Sequence, residues 1–295
     1  MASIAKTVVA TGVSSGLGFE AIKQLLLQQS QPYKVILGAR NTQSAIAAYD
    51  ALGYECSGHA VTVLPLELSD VRTVKAFSQQ VLERVGGEEI DYLLLNAAIA
   101  EGADKPGPKG WRWCEPLVVN HFSQHYLTHL LREKLVASKS RIVFVSSGAI
   151  RRVTDPSTLD DMLKSASGAD GSSVYCATKF LQLVNAHWWR RELTGQCDVV
   201  AVSPGLIPGT GLGRGNGLAT TSMDMPDAKP VATGAQSILA AFTRSDFPSD
   251  PDQIFLTSWG EWWSKGVIET TLDRKLQDKW SWSKEEIERE VGITA

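Results

Sequence analysis

The sequence predicts an α/β fold, a doubly wound parallel sheet covered by helices on both faces. Three observations predict it. Short β-branched apolar runs recur along residues 1–205, too short to be helices. Helical spacing fills most of the intervals between them, as parallel strands require. A glycine-rich turn joins the first run to the first helix.

Residues 7–11 are β-branched or small and apolar, and read as the first strand. Glycines follow at 12, 16 and 18, and residues 20–28 carry Ala21, Leu25 and Leu26 at helical spacing. In this setting Gly12 permits a tight turn. Gly16 lets backbone approach a pyrophosphate, and Gly18 lets helix pack closely on strand. The helix N-terminus then favours negative charge. Gly12, Ser14, Ser15, Gly16, Leu17 and Gly18 are therefore candidate dinucleotide-binding residues of a Rossmann fold. An ordinary tight turn is the rival reading, and the flanking strand and helix count against it.

Residues 33–40 read as the second strand. An NAD site places an acid about 20 residues past the glycines, where it bonds the ribose hydroxyls. Here that stretch is Gly38-Ala39-Arg40-Asn41, without an acid. An arginine binds a 2′-phosphate bidentately, whereas an acid repels it. NADP(H) is the expected cofactor, with Arg40 as its main reader and Ser14 or Ser15 as helpers. A solvated surface arginine is the alternative.

Residues 61–66 read as strand three, and 71–85 as a helix capped by Ser69-Asp70. Strand four is 90–95, ending at Asn96-Ala97-Ala98. A Gly- and Pro-bearing loop spans 101–108, a long helix 117–134, strand five 141–147, another long helix 174–193, and strand six 199–205. Residues 254–257 are a candidate seventh strand. Two polar segments, 151–173 and 206–230, fit no regular element. Both follow carboxyl ends of strands, where open α/β sheets bind ligands. The second reads as a substrate lid, with a tolerated surface insertion as the alternative. The chain is expected to be a single domain, 1–295. Residues 1–205 form its cofactor-binding and catalytic core, and 206–295 its lid and C-terminal extension.

Composition narrows the partners. Hydrophobic residues make up 43% of the chain, enough for a substantial core, and the net charge is −3. No basic surplus is present for nucleic acid or anionic membrane. No run of about 18 apolar residues marks a membrane anchor. Cys56, Cys114, Cys176 and Cys197 are scattered, form no metal pattern and fit reduced thiols in a cytoplasmic protein. No room for a leader peptide is expected before the first strand. The expected partner is a small-molecule substrate.

Reducing a carbonyl takes a hydride on carbon and a proton on oxygen. A tyrosine becomes a useful acid at neutral pH only if its pKa falls, and a nearby ammonium lowers it. Tyr175 and Lys179 are four apart within a predicted helix, so they share a face. Ser147, ending strand five on the ligand side, can hold the substrate oxygen. Asn120 sits inside a helix, where Asn is a poor former, and is placed to hold a water linking Lys179 to solvent. Tyr175 alone reads more readily as a half-buried helix tyrosine, and it is the company of Asn120, Ser147, Lys179 and the glycine turn that counts against this.

The order Thr11-Gly12-x3-Gly16-x-Gly18, Asn96-Ala97-Ala98, Asn120, Ser147, Tyr175-x3-Lys179 and Pro204-Gly205 resembles the short-chain dehydrogenase/reductase family over residues 5–210. The resemblance implies a catalytic tetrad of Asn120, Ser147, Tyr175 and Lys179. It also implies that Asn96 and Ala97 support the cofactor side. Pro204, Gly205, Ile207 and Thr210 would lie along the nicotinamide, and Glu67 and Leu68 near the adenine. Val119-Asn120-His121-Phe122, Ala39-Arg40-Asn41 and the stretch 204–212 look most like the branch holding retinol-dehydrogenase-like enzymes and light-dependent protochlorophyllide reductases. The segment 272–291 resembles that branch's final helix. The implied activity is NADP(H)-dependent carbonyl reduction, or the reverse alcohol oxidation, on a small, mostly apolar molecule. The lid and the aromatic C-terminal part point to a specialised or polycyclic substrate, such as one from secondary metabolism. A non-redox cyclase or an NADP(H)-sensing protein on the same scaffold are the alternatives.

Other signals stay open at this level. His121, His125 and His129 share a helix face, but His-x3-His without an acidic partner is no metal motif, and solvated or packed histidines are expected. Trp188-Trp189 suit a homodimer interface or the core equally. Trp259, Trp262, Trp263, Trp280 and Trp282 suit an apolar pocket wall or a small core. Residues 284–290 read as a solvated helix face.

Overall fold

The computed structural model describes residues 4–54, 58–214 and 222–293. Cys56 and the middle of the expected lid, 215–221, lie outside the described residues. Strand β1 (Lys6–Thr11) leads through the glycine turn into helix α1 (Gly16–Leu26). Then come β2 (Tyr33–Ala39), α2 (Thr42–Asp50), β3 (Ala60–Pro65), α3 (Val71–Val85) and β4 (Tyr92–Leu95). The long helix expected next is α4 (Glu115–Leu117), a π turn (Val118–Phe122) and α5 (Ser123–Ala137) in succession. After β5 (Arg141–Val145) come α6 (Leu159–Met162) and α7 (Gly171–Glu192). Then follow β6 (Asp198–Val202), α8 (Val231–Thr243), β7 (Phe255–Leu256), α9 (Lys265–Ile268), α10 (Arg274–Trp280) and α11 (Lys284–Glu290).

The strands form one parallel sheet in the order β3-β2-β1-β4-β5-β6-β7. β1 pairs with β2 on one side and β4 on the other, so the winding reverses there. That reversal opens a crevice at the carboxyl ends of β1 and β4. Alternate side chains fill two cores. Val9 of β1, with Ile142 and Phe144 of β5, packs under α3, α5 and α7. Val8 and Ala10, with Val143 and Val145, pack under α1 and α8. The period of two along each strand assigns each residue to its layer.

Several sequence expectations change. Helices α2 and α8 were not foreseen: α2 is short and starts on Asn41, whose side chain accepts from Ser44 N at 3.0 Å. Segment 151–173 is not a bare loop. It holds 3-10 turns and α6, and backbone bonds such as Cys114 N to Leu163 O (2.9 Å) and Ala103 N to Ala169 O (2.9 Å) tie it to residues 103–114. The final helix is broken at Ser281-Trp282-Ser283, where Ser283 and Glu286 form a capping box. The stretch 284–290 is not wholly solvated: Ile287 and Glu288 are buried, and Glu288 accepts from Tyr126 Oη (2.6 Å) and Lys75 Nζ (3.2 Å).

The three histidines of the α5 face are packed, and they dock the C-terminal helices. His121 Nε2 lies 2.8 Å from Trp280 O, and His125 Nε2 lies 2.7 Å from Trp282 O. His129 Nε2 lies 3.1 Å from the same Trp282 O. Asn185 Nδ2 and Trp189 Nε1 both reach His125 Nδ1 at 2.9 Å, so this nitrogen accepts and Nε2 carries the proton. Trp189 is fully buried here, which places it in the core. No group of three metal-ligating side chains occurs among the described residues.

Burial holds the charged imidazoles off. It lowers His121 and His129 to about 4 and His187 to about 3, and it pushes His125 well below the ordinary range. In the unfolded chain these groups take up protons near pH 6.5. Below that pH the unfolded state binds protons that the folded state refuses, so stability falls as pH drops from about 6.5 towards 4. The slope is roughly 1.4 kcal/mol per pH unit for each imidazole. Thermal unfolding between neutral pH and about pH 5 should show this loss, and His129→Gln should make it shallower. An unchanged slope in the variant would show that His129 does not contribute.

Candidate active site

The glycine turn is fixed by close approach. A Cβ on Gly12 would lie 2.5 Å from Ala97 Cα, and one on Gly18 would lie 2.3 Å from Gly12 O. Gly16 differs. Its φ is +59°, and a Cβ there would meet only Thr210, at 3.7 Å, across an open gap. Asn96 Nδ2 donates to Gly12 O at 2.7 Å, pinning the turn to the end of β4. Thr11 Oγ1 accepts from Asn96 N and Ala97 N at 3.2 Å each, and donates to Gln124 Oε1 at 3.0 Å. Gln124 returns its amide to Ala97 O at 2.9 Å and Asn120 O at 3.0 Å. Sequence reasoning missed Gln124, because a glutamine within a helix carries no signal of its own.

A cleft of about 460 Å³ opens above this turn. The turn contributes Gly12, Ser14, Ser15, Gly16, Leu17 and Gly18. Arg40 enters from the end of β2, Glu67 and Leu68 from the end of β3, and Asn96 and Ala97 from the end of β4. Tyr175 and Lys179 enter from α7, and Pro204 and Thr210 from beyond β6. Ser15, the N-cap of α1, makes no side-chain cap bond, and the first turn of α1 holds no acid. Its N–H groups are thus left for an anion. Arg40 is exposed and has no carboxylate within 4.0 Å among the described residues. Glu101 and Glu115 also line the cleft and were not foreseen. Burial pushes the Glu115 carboxyl up, Glu101 and Glu67 add to this, and Lys105 and Arg40 oppose it.

Four expected residues stand outside the lining. Gly205 turns the chain at φ +93° behind Pro204. Ile207 packs on the helix beside it, where a Cβ on Gly234 would lie 2.6 Å from Ile207 Cδ1. Asn120 lies in the π turn with its amide already engaged. Its Oδ1 accepts from Ile99 N (2.8 Å), and its Nδ2 donates to Ile99 O (2.9 Å) and Thr178 Oγ1 (3.0 Å). The side chain is therefore a clamp between the β4 loop and α7, and not the free water holder expected from sequence. Ser147 sits just beyond β5, where its hydroxyl accepts from Ala149 N at 3.2 Å and lies near enough to the Tyr175 phenol to favour its charged form.

The pair on α7 behaves differently from the expectation for an ammonium beside a phenol. Lys179 Nζ is buried, 5.7 Å from the Tyr175 ring centre, and donates to Val145 O and Gln182 Oε1 at 2.8 Å each. Burial lowers Lys179 to about 7. Burial raises Tyr175 to about 12, with the nearby Ser147 hydroxyl pulling it partly back and Cys176 adding to the rise. Removing water disfavours both charged forms, and here that outweighs any help the lysine gives the phenolate.

The tryptophans divide. Trp280 is buried against Trp113 in the C-terminal core, and Trp262 packs on Phe247. Trp263 instead approaches Gly148, beside Ser147. No helix among the described residues is long and apolar enough to cross a membrane.

Comparison with known proteins adds the lineage. The profile of the short chain dehydrogenase family matches residues 6–156. A short-chain dehydrogenase/reductase of Pestalotiopsis microspora, GME11359, is 55% identical over 97% of this chain and 99% of its own. Human retinol dehydrogenase 13 is 27% identical over 77% of this chain and 66% of its own. Among solved structures, the NADPH-bound carbonyl reductase from chicken fatty liver superposes with a TM-score of 0.66 at 19% identity, covering 88% of this chain and 99% of that one. A Sphingobium yanoikuyae short-chain dehydrogenase in complex with NADPH gives 0.63 at 21% identity, covering 85% and 87%. The latter two show the fold, and the glycine turn, the profile and the 55% relative together place this chain in the short-chain dehydrogenase/reductase family.

Proposed function

We propose that this chain is an NADP(H)-dependent carbonyl reductase, or the reverse alcohol dehydrogenase, acting on a small, mostly apolar organic molecule. One observation carries the reading. Tyr175, one helical turn from Lys179 and near enough to the Ser147 hydroxyl for it to favour the phenolate, faces the same cleft as the glycine turn. The open cradle at Gly16, the uncapped α1 N-terminus and the unpaired Arg40 fit a phosphorylated dinucleotide, which supplies the hydride when bound. That the two structural neighbours above carry NADPH supports the choice of cofactor.

The chain's own groups supply the rest. Ser147 orients the substrate oxygen. Tyr175 passes its phenolic proton to that oxygen. Lys179, lowered to about 7 by burial, is driven to its charged form by an anion held in the cleft, and then stabilises the phenolate. Asn120 and Thr178 hold α7 in place and do not transfer protons themselves. The loop beyond Pro204 closes over the substrate as a lid.

Tyr175→Phe should lower turnover by about 10²–10⁴-fold while NADPH affinity stays unchanged. Steady-state NADPH oxidation and a binding titration on the same preparation check this, and near-normal turnover would reject Tyr175 as the acid. Arg40→Asp should cut the preference for NADPH over NADH by roughly 10–100-fold, the worth of a charge-assisted bidentate contact. An unchanged ratio of efficiencies would mean that another group reads the 2′-phosphate.

A further inference from the structure

The turn after Ser147 brings a guanidinium and an indole to one point. Arg151 belongs to the 3-10 turn Gly148–Arg152. Its Nε donates to Gly148 O at 3.1 Å, which folds the guanidinium back over the turn. Its Nη atoms make no hydrogen bond, and no carboxylate lies within 4.0 Å, among the described residues. The guanidinium carbon stands 5.2 Å from the centre of the Trp263 ring. A Cβ built on Gly148 would lie 3.6 Å from Arg151 Nη2 and 3.6 Å from Trp263 Cζ2. Both groups thus meet at the residue adjoining Ser147, whose hydroxyl lies near the Tyr175 phenol.

The indole is held there firmly. Trp263 N donates to Phe255 O at 2.8 Å, and the two rings stack at 5.7 Å and 19°. Trp259 tilts against Trp263 at 5.9 Å, donates from Nε1 to Glu261 Oε2 at 2.9 Å and is still 57% exposed, an uncommon state for a tryptophan. The Trp263 Nε1 donor is buried and has no acceptor among the described residues. Arg151 and Phe255 cover the Trp263 ring, so the wall offers a ligand the exposed Trp259 indole, the rim of Trp263 and a planar cation with its outer edge unused. Its complement is a flat ring that carries an anion.

We propose that Arg151 and Trp263 determine specificity, and that the substrate is an aromatic ketone or aldehyde bearing a carboxylate or phenolate. The ring packs on the exposed Trp259 indole along the rim of Trp263, and the anion meets the Arg151 Nη edge. This rests on the carbonyl-reductase reading and narrows its substrate class.

The test is calorimetric titration of the NADPH-loaded protein with 2-naphthoate and with its neutral counterpart 2-naphthamide. Naphthoate should bind about tenfold or more tightly than the amide, as expected for one charge-assisted contact. Arg151→Gln should bring the two affinities together, Arg151→Lys should restore part of the difference, and Trp263→Leu should weaken both ligands. Arg151 is exposed, so its variants test the idea even if Trp263→Leu fails to fold. Equal affinities in the wild type, no binding of either ligand, or a preference that survives Arg151→Gln would overturn the proposal. Tyr175→Phe should keep the naphthoate preference. NADPH binding and turnover, measured separately, show whether the reductase reading stands when this inference does not.

Discussion

The site depends on how Lys179 is held. Its ammonium lies out of water, where an unpartnered charge is costly, and it finds Val145 O at the end of β5 and Gln182 Oε1 on its own helix. The backbone is tied at the same residue, since Ser146 Oγ donates to Lys179 O at 2.8 Å. These two bonds fasten α7 to the carboxyl end of β5. Tyr175 then falls one turn earlier on the same face, in reach of Ser147, whose place is set by the same strand. The Tyr175–Ser147 contact is therefore a consequence of the β5–α7 join. Asp170 starts the helix at the proper point by accepting from Ser172 N and Ser173 N.

A second join sets the opposite wall. Thr11, Asn96 and Gln124 link the ends of β1 and β4 to the start of α5, and Asn96 reaches on to Gly12. Asn120 connects this wall to the first, through Ile99 on one side and Thr178 of α7 on the other. Its buried amide is fully used, so it transmits position between the halves. Behind α7, the histidines of α5 grip the break between α10 and α11. The C-terminal segment thus braces the helix that carries Tyr175, on the side away from the cleft.

Much of this was legible in the sequence. Glycines at 12, 16 and 18 announced the turn, because no Cβ fits at 12 or 18 and the left-handed backbone at 16 favours glycine. Tyr175 and Lys179 announced themselves by a spacing that puts them on one face. Arg40 was found by the absence of an acid. What escaped was set by partners far along the chain. Gln124 and Gln182 matter only through what folding brings to them. Glu101 and Glu115 reach the cleft from a loop and a three-residue helix with no periodic signal. Asn120 looked free because the Ile99 and Thr178 groups that consume its amide are 21 and 58 residues away. The rise at Tyr175 was not legible either, since charge proximity is visible in sequence and the depth of burial is not.

The central claim is that a phenol made a poor acid by burial becomes a working one when an anionic cofactor recharges Lys179. The direct measurement is the ultraviolet tyrosinate titration of Tyr175, taken as wild type minus Tyr175→Phe, without and with saturating NADP+. The account predicts a pKa of about 12 in the empty protein. It predicts a fall below the ordinary tyrosine value of about 10 with the cofactor bound. A phenol that stays at about 12 in the complex would contradict it, because Lys179 would then be a structural tie and not the group that activates Tyr175.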